Sequence, residues 1–150
     1  MKNLIIALTT FLLIGAVQTK AAAQKEINNW KILAMISMQK VFDEEMGIDL
    51  EKPIFSKAVK KLNGTEITIK GYVLPLKASK DQKYFILSAY PYNMCFFCGG
   101  AGPESVMEVF SKKPVASSKK MVKLKGTLRV NYNPTIGQVL YTLKDAEVVN

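Results

Sequence analysis

The hydrophobic rhythm of the chain changes along its length. Leu4 to Val17 is almost wholly apolar, with Lys2 before it and Ala21-Ala22-Ala23 after it. That order predicts a secretory signal peptide over residues 1–23, cut before Gln24, since Ala21 and Ala23 satisfy the small-x-small rule. The apolar run is about 14 residues, short of the ~20 that a membrane-spanning helix needs. Residues 24–150 are then expected to form a single domain, periplasmic or secreted, with no integral membrane segment. Glu26 to Phe42 has two readings: Trp30, Leu33 and Ile36 suit a helix face, whereas Met35 to Phe42 suits a strand. Pro53 precedes a short helix, with Ser56 as its N-cap, Ala58, Val59 and Leu62 as its inner stripe, and Asn63-Gly64 as its end.

From Thr65 the period becomes two. Ile67 and Ile69 alternate with Glu66, Thr68 and Lys70, and Gly71 interrupts the phase, which predicts a bulge or bend before Tyr72-Val73-Leu74. Lys77 to Gln82 reads as a polar turn. Tyr84 to Leu87 is apolar on both faces and reads as a central strand. Ser105 to Phe110 reads as strand slightly better than helix, and Lys112 to Lys120 as a loop containing Pro114. Val122, Leu124, Leu128 and Val130 alternate with charged or polar residues, with Gly126 at an inward position. After a turn over Asn131 to Gln138, Val139, Tyr141 and Leu143 begin a last strand. The pattern predicts a mainly β fold: a small OB-like Greek-key barrel with one or two short helices, or failing that a β-sandwich.

Composition narrows the chemistry. Hydrophobic residues are 49% of the chain and charged residues 22%, as in a globular protein. There is no histidine, so neither a Ser-His-Asp nor a Cys-His nucleophile is available, nor an imidazole-built zinc site. Two cysteines exclude a four-cysteine site on one chain. Without Lys2 and Lys20 the net charge of +9 becomes +7. Arg129 is the only arginine, which argues against nucleic acid, where arginine is favoured for bidentate contacts. A lysine-rich secreted surface suits anionic polymers, lipid head groups or simple solvation. Asp43-Glu44-Glu45 reads as a solvated loop, and Trp30, the only tryptophan, as a core plug.

The informative segment is Tyr90 to Glu108, where both cysteines stand as Cys95-Phe96-Phe97-Cys98, followed by Gly99-Gly100-Ala101-Gly102. Two thiolates at this spacing can chelate a soft ion. Met94 precedes them, and thiolate with thioether favours Cu(I). Glu104 and Glu108, four apart, could complete a harder site for zinc. The same spacing serves disulfide exchangers, although no convincing helix begins at Cys95. It also serves a structural disulfide in an oxidising compartment, where so short a loop adds little stability. Gly99 stands where a haem-attachment histidine would be, and no Lys-Ser/Thr follows the glycines to make a phosphate loop. Tyr90, Tyr92, Phe96 and Phe97 flank the pair, either as a wall over a ligand or as a seal on the core.

The stretch Pro91 to Val109 resembles a family of uncharacterised secreted proteins of Bacteroidetes-type bacteria. The likeness takes in Pro53-Ile54-Phe55-Ser56, Lys70-Gly71-Tyr72-Val73-Leu74-Pro75, Leu124-Lys125-Gly126 and Asp145-Ala146-Glu147. These are distantly similar to periplasmic OB-like domains of unknown function. The resemblance implies the OB-like fold, the envelope location, the importance of the Cys95–Glu108 loop and association with metal or small-molecule transport systems. It implies no activity. The expectation is a non-enzymatic envelope protein binding copper or zinc through Cys95 and Cys98, with Met94, Glu104 or Glu108 as further ligands. The alternatives are a module binding a partner protein or anionic polymer, its cysteines bracing a loop, and a thiol-disulfide oxidoreductase.

Overall fold

The computed structural model describes residues 28–74, 76, 81–134 and 138–150. The leader with its cleavage site, most of the turn expected over Lys77 to Gln82, and residues 135–137 lie outside these. Elements follow in the order α1 (Asn29–Leu33), β1 (Ile36–Asp43), β2 (Ile48–Phe55), α2 (Lys57–Leu62), β3 (Glu66–Leu74), β4 (Asp81–Ser88), β5 (Val106–Ala116), β6 (Val122–Val130) and β7 (Tyr141–Val148). No helix among the described residues is long and apolar enough to cross a membrane.

Strands β3 to β7 close a barrel in the order β3-β4-β5-β7-β6. Neighbours are antiparallel except β5 and β7, which are parallel. The first barrel strand thus lies between the second and fourth, and the third lies beside the fifth. This is the five-stranded Greek-key order of an OB barrel. Alternation along the strands turns one set of side chains inward. Ile67, Ile69 and Val73 meet Phe85, Leu87, Met107, Val109, Leu124, Leu128, Tyr141 and Leu143 in one core.

The two short helices precede the barrel and send Leu33 and Val59 into that core, together with Phe55. Ser56 caps α2 by accepting from the Val59 amide at 3.3 Å. Ala58, expected inward, is exposed, because a helix of this length buries only one narrow stripe. The segment with two readings resolves into both, a helix over Asn29–Leu33 and then a strand from Ile36. Trp30 is half-buried at the edge of the core, and its Nε1 donates to the Lys70 carbonyl at 2.8 Å. The Tyr141 hydroxyl donates to the Leu33 carbonyl at 2.6 Å, tying α1 to the last strand.

Elsewhere the strands run differently from the expectation. Gly71 keeps the inward phase of β3, without a bulge, and marks a change of partner. Residues 66–71 pair with β6 and residues 72–74 with β4. A Cβ at Gly71 would stand 2.6 Å from the Ser88 carbonyl, so the close approach requires glycine. Strand β5 continues through Lys112 and Pro114 to Ala116 instead of yielding to a loop. Its ladder with β4 is interrupted between Phe110 and Val115, and proline is tolerated there because no amide is needed. A bulge appears instead in β7, where Asp145 has φ +54° and the register against β6 shifts opposite Gly126.

The hairpin β1–β2 was legible only in its first half. It pairs from Ile36 with Phe55 to Asp43 with Ile48, and among the described residues it joins no barrel strand. Asp43 Oδ1 accepts from the Glu45 and Met46 amides at 3.1 and 3.0 Å, so the acidic triplet forms the turn at its tip.

Candidate functional site

The cysteine segment is the connection between β4 and β5. Its neck is closed by the Ala89 amide donating to the Ser105 carbonyl at 2.9 Å. Between these residues the chain makes 3-10 turns over Tyr92–Met94, Phe96–Cys98 and Pro103–Ser105. The Cys98 and Gly100 amides both donate to the Cys95 carbonyl, at 3.0 and 3.2 Å. Gly99 holds φ +75°, a left-handed conformation natural to glycine. Gly100 lies against the Met94 backbone, and a Cβ there would stand 2.8 Å from the Met94 carbonyl oxygen. The two glycines thus wrap the chain back over Met94 and Cys95.

The loop lies on the outside of the barrel. Cys95 is fully buried among Leu74, Ile86 and Val106, with Phe96 and Val139 at the margin. These strand residues point away from the inner core, so β3, β4 and β5 are apolar on both faces here. That second apolar face was the sequence signal, visible in Tyr84 to Leu87, that something covers the outer surface. It did not say that the cover is the cysteine loop.

Cys98, by contrast, is exposed, and both thiols are free. The sulfurs are 3.7 Å apart, whereas a disulfide needs about 2.05 Å. An ion about 2.3 Å from each would subtend roughly 107° between them, close to the tetrahedral angle. The Cys98 thiol donates to the Tyr92 carbonyl at 3.0 Å. Contact with the Cys95 thiol, then desolvation and the prospect of a second negative charge at Cys95, push the Cys98 thiol above the ordinary cysteine range. A disulfide exchanger instead depresses the pKa of its attacking thiol, and no α-helix starts here to do so.

The other candidate ligands divide. Met94 is exposed next to Cys95 in sequence. Glu104 sits in the last 3-10 turn, folded back against Gly102. Glu108 lies on β5 and accepts a hydrogen bond from the Tyr84 hydroxyl at 2.8 Å. That bond, with burial and the carboxylate charge, raises the Tyr84 pKa. The Tyr84 ring stacks on Phe110 at 4.8 Å. Among the described residues no three of Cys, Asp and Glu come together as a metal-holding group, so neither glutamate joins the cysteine pair.

Two concavities were not legible in the sequence. A cleft of about 560 Å³ lies beside the cysteine loop, between Tyr72, Tyr92, Ser118 and Lys119. A groove of about 600 Å³ lies where α1 meets β3, lined by Trp30, Lys31, Lys70, Tyr90 and Met121.

Residues 12–150 match a family model described as a protein of unknown function, DUF3299. No curated protein shows a significant match. A matching solved structure is that of a DUF3299 family protein from Pseudomonas aeruginosa PAO1, at 21% identity, covering 65% of this chain and 68% of that one, with a TM-score of 0.48.

Proposed function

Since the chain belongs to the DUF3299 family, whose function is unknown, we propose from its own residues that it binds a soft transition-metal ion through Cys95 and Cys98. The observation that carries this reading is the pair of unbridged sulfurs 3.7 Å apart, one sealed in the protein and one open to solvent. A three-coordinate ion at about 2.3 Å from each sulfur would need them roughly 4.0 Å apart, a small adjustment. With no carboxylate beside the pair among the described residues and no histidine in the chain, Zn²⁺ lacks two of its usual four donors. Cu(I) is satisfied by two or three soft donors, and the Met94 thioether is the available third.

In this reading the barrel is a rigid support and not an enzyme. Leu74, Ile86 and Val106 fix Cys95, and the Gly99-Gly100 turn presents Cys98. The open coordination suits delivery or exchange with an envelope transport partner better than storage. The reading includes residues 1–23 as a signal peptide that sends the chain to the periplasm or beyond.

The test is a native mass spectrum of the protein purified without reductant or chelator, followed by Cu(I) titration against a chromogenic chelator. One ion per chain, lost in Cys98→Ser, is the expected result. Cys98 is exposed, so that variant should keep the fold. A mass two hydrogens short with no metal, or equal copper uptake by Cys98→Ser, would overturn the reading.

A further inference from the structure

The hairpin β1–β2 stands apart from the barrel and is oddly built for an arm in solvent. Its fully buried residues lie near the root, Pro53 and Phe55, and Ile36 packs on the core there. Beyond that it exposes Met38, Phe42, Met46, Ile48 and Ile54. Among the described residues both of its strands have a free edge. An isolated two-stranded ribbon is marginal in water, so an apolar one calls for a cover.

Charge says what the cover is. The tip, residues 43–51, holds Asp43, Glu44, Glu45, Asp49 and Glu51 and no basic residue. Residues 57–150 carry fifteen Lys and Arg against six Asp and Glu. An apolar, acidic arm fits an apolar, basic concavity, and the groove beside Trp30 is one. Trp30, Tyr90 and Met121 give it apolar walls, and Lys31 and Lys70 give it charge. Ala34 lines the same groove, and β1 begins at Ile36, so the groove lies at the root of the arm. The arm extends about 26 Å, at ~3.3 Å for each residue of β1, so its tip cannot fold into its own groove. An arm from another molecule can. When two arms lie antiparallel about a two-fold axis, each tip falls at the other's root. Two tips set side by side would bring like charges together, and an anionic lipid surface would repel them.

We propose that the protein forms a two-fold dimer in which the acidic β1–β2 arm of each copy docks in the Trp30–Lys31–Lys70 groove of the other. The contact is self-complementary and closes on itself, so it yields a dimer and not a filament. It does not depend on the metal reading.

Two surface variants test it. Glu44→Lys, Glu45→Lys and Asp49→Lys together turn the tip from five acidic side chains to three basic and two acidic, and Lys31→Glu with Lys70→Glu reverses the groove; all five side chains are exposed. In sedimentation equilibrium the unaltered protein is expected to run at twice the monomer mass in low salt and to dissociate in molar salt. Each variant alone is expected to lose the dimer, since tip and groove then carry the same sign. Mixed together they are expected to form a one-to-one heterodimer, in which both contacts are again complementary. Unaltered protein that is monomeric at every accessible concentration overturns the proposal. So does a variant that still self-associates, or a mixture that stays monomeric while circular dichroism shows both partners folded.

Discussion

Tyr141→Phe removes a single oxygen from a fully buried side chain, and its effect should depend on pH in a way that identifies the cause. The hydroxyl donates to the Leu33 carbonyl at 2.6 Å, linking positions 108 residues apart. Without it the carbonyl stays at the buried junction of α1 and the barrel without that donor, a cost of about 1–3 kcal/mol. At about 4 °C per kcal/mol for a domain of this size, melting near neutral pH should fall by roughly 8 °C. Burial first, and then the charge of Glu104, raise the Tyr141 pKa far above that of a free phenol. The folded state therefore holds a proton that the unfolded chain releases near pH ~10. Stability from the protonated hydroxyl is whole below that pH and is lost as pH rises beyond it. The gap between the unaltered protein and Tyr141→Phe should accordingly narrow above about pH 10 in urea unfolding followed by circular dichroism. Equal melting temperatures at pH 7, or a gap that stays constant into alkali, would refute this account. Tyr132→Phe, at a half-exposed ring that meets Phe55 edge-on at 5.7 Å, is the control and should shift melting little.

Further outcomes follow from the cysteine loop and the barrel. Alkylation of Cys98 by iodoacetamide should be slow at pH 7, with a midpoint above that of a free cysteine, because its pKa is raised; a midpoint below the ordinary value would restore the disulfide-exchange reading. If Cys95 and Cys98 bind copper as proposed, uptake releases both thiol protons, so affinity should rise by up to about 100-fold per pH unit in acid, as competition titrations at several pH values would show. Gly100→Ala would push on the Met94 backbone; if the cysteines bind copper as proposed, affinity should drop at least tenfold alongside a lower melting temperature, and an unchanged affinity would mean that the wrap does not set the sulfur spacing. Gly71→Ala places a Cβ 2.6 Å from the Ser88 carbonyl and should cost about 1–3 kcal/mol in denaturant unfolding; a neutral result would show that β3 and β4 can part there freely.

The barrel was legible because its strands bury one face, and burial writes period two into the sequence. Ile67, Ile69, Leu124, Leu128 and Leu143 all lie inward as the alternation required. Strand β2 left no such mark, since Ile48, Leu50 and Ile54 alternate with charges but reach no core, and no buried stripe distinguishes them from a loop. Lys112 to Ala116 looked like a loop for the related reason that only Val115 is buried there. In the cysteine segment, residue types and spacing were visible, but orientation was not. Nothing in Cys-Phe-Phe-Cys says which thiol is buried, because that depends on Leu74 and Val106, each distant in sequence. Glu104 and Glu108 are neighbours by count, yet β5 begins between them and fixes Glu108 on Tyr84.

The unequal placement of the two sulfurs bears on timing. Cys95 is riveted to Leu74, Ile86 and Val106, and to swing it outward would bare that apolar patch to water. In the proposed copper site, Cys98 could leave the ion by rotating its own side chain. Release should then proceed in order, Cys98 first and Cys95 last, with an incoming ligand filling the vacated side before the buried bond breaks. Such a site would behave as a ratchet: dilution alone should empty it slowly, whereas a competing thiol that reaches the Cys98 side should empty it fast.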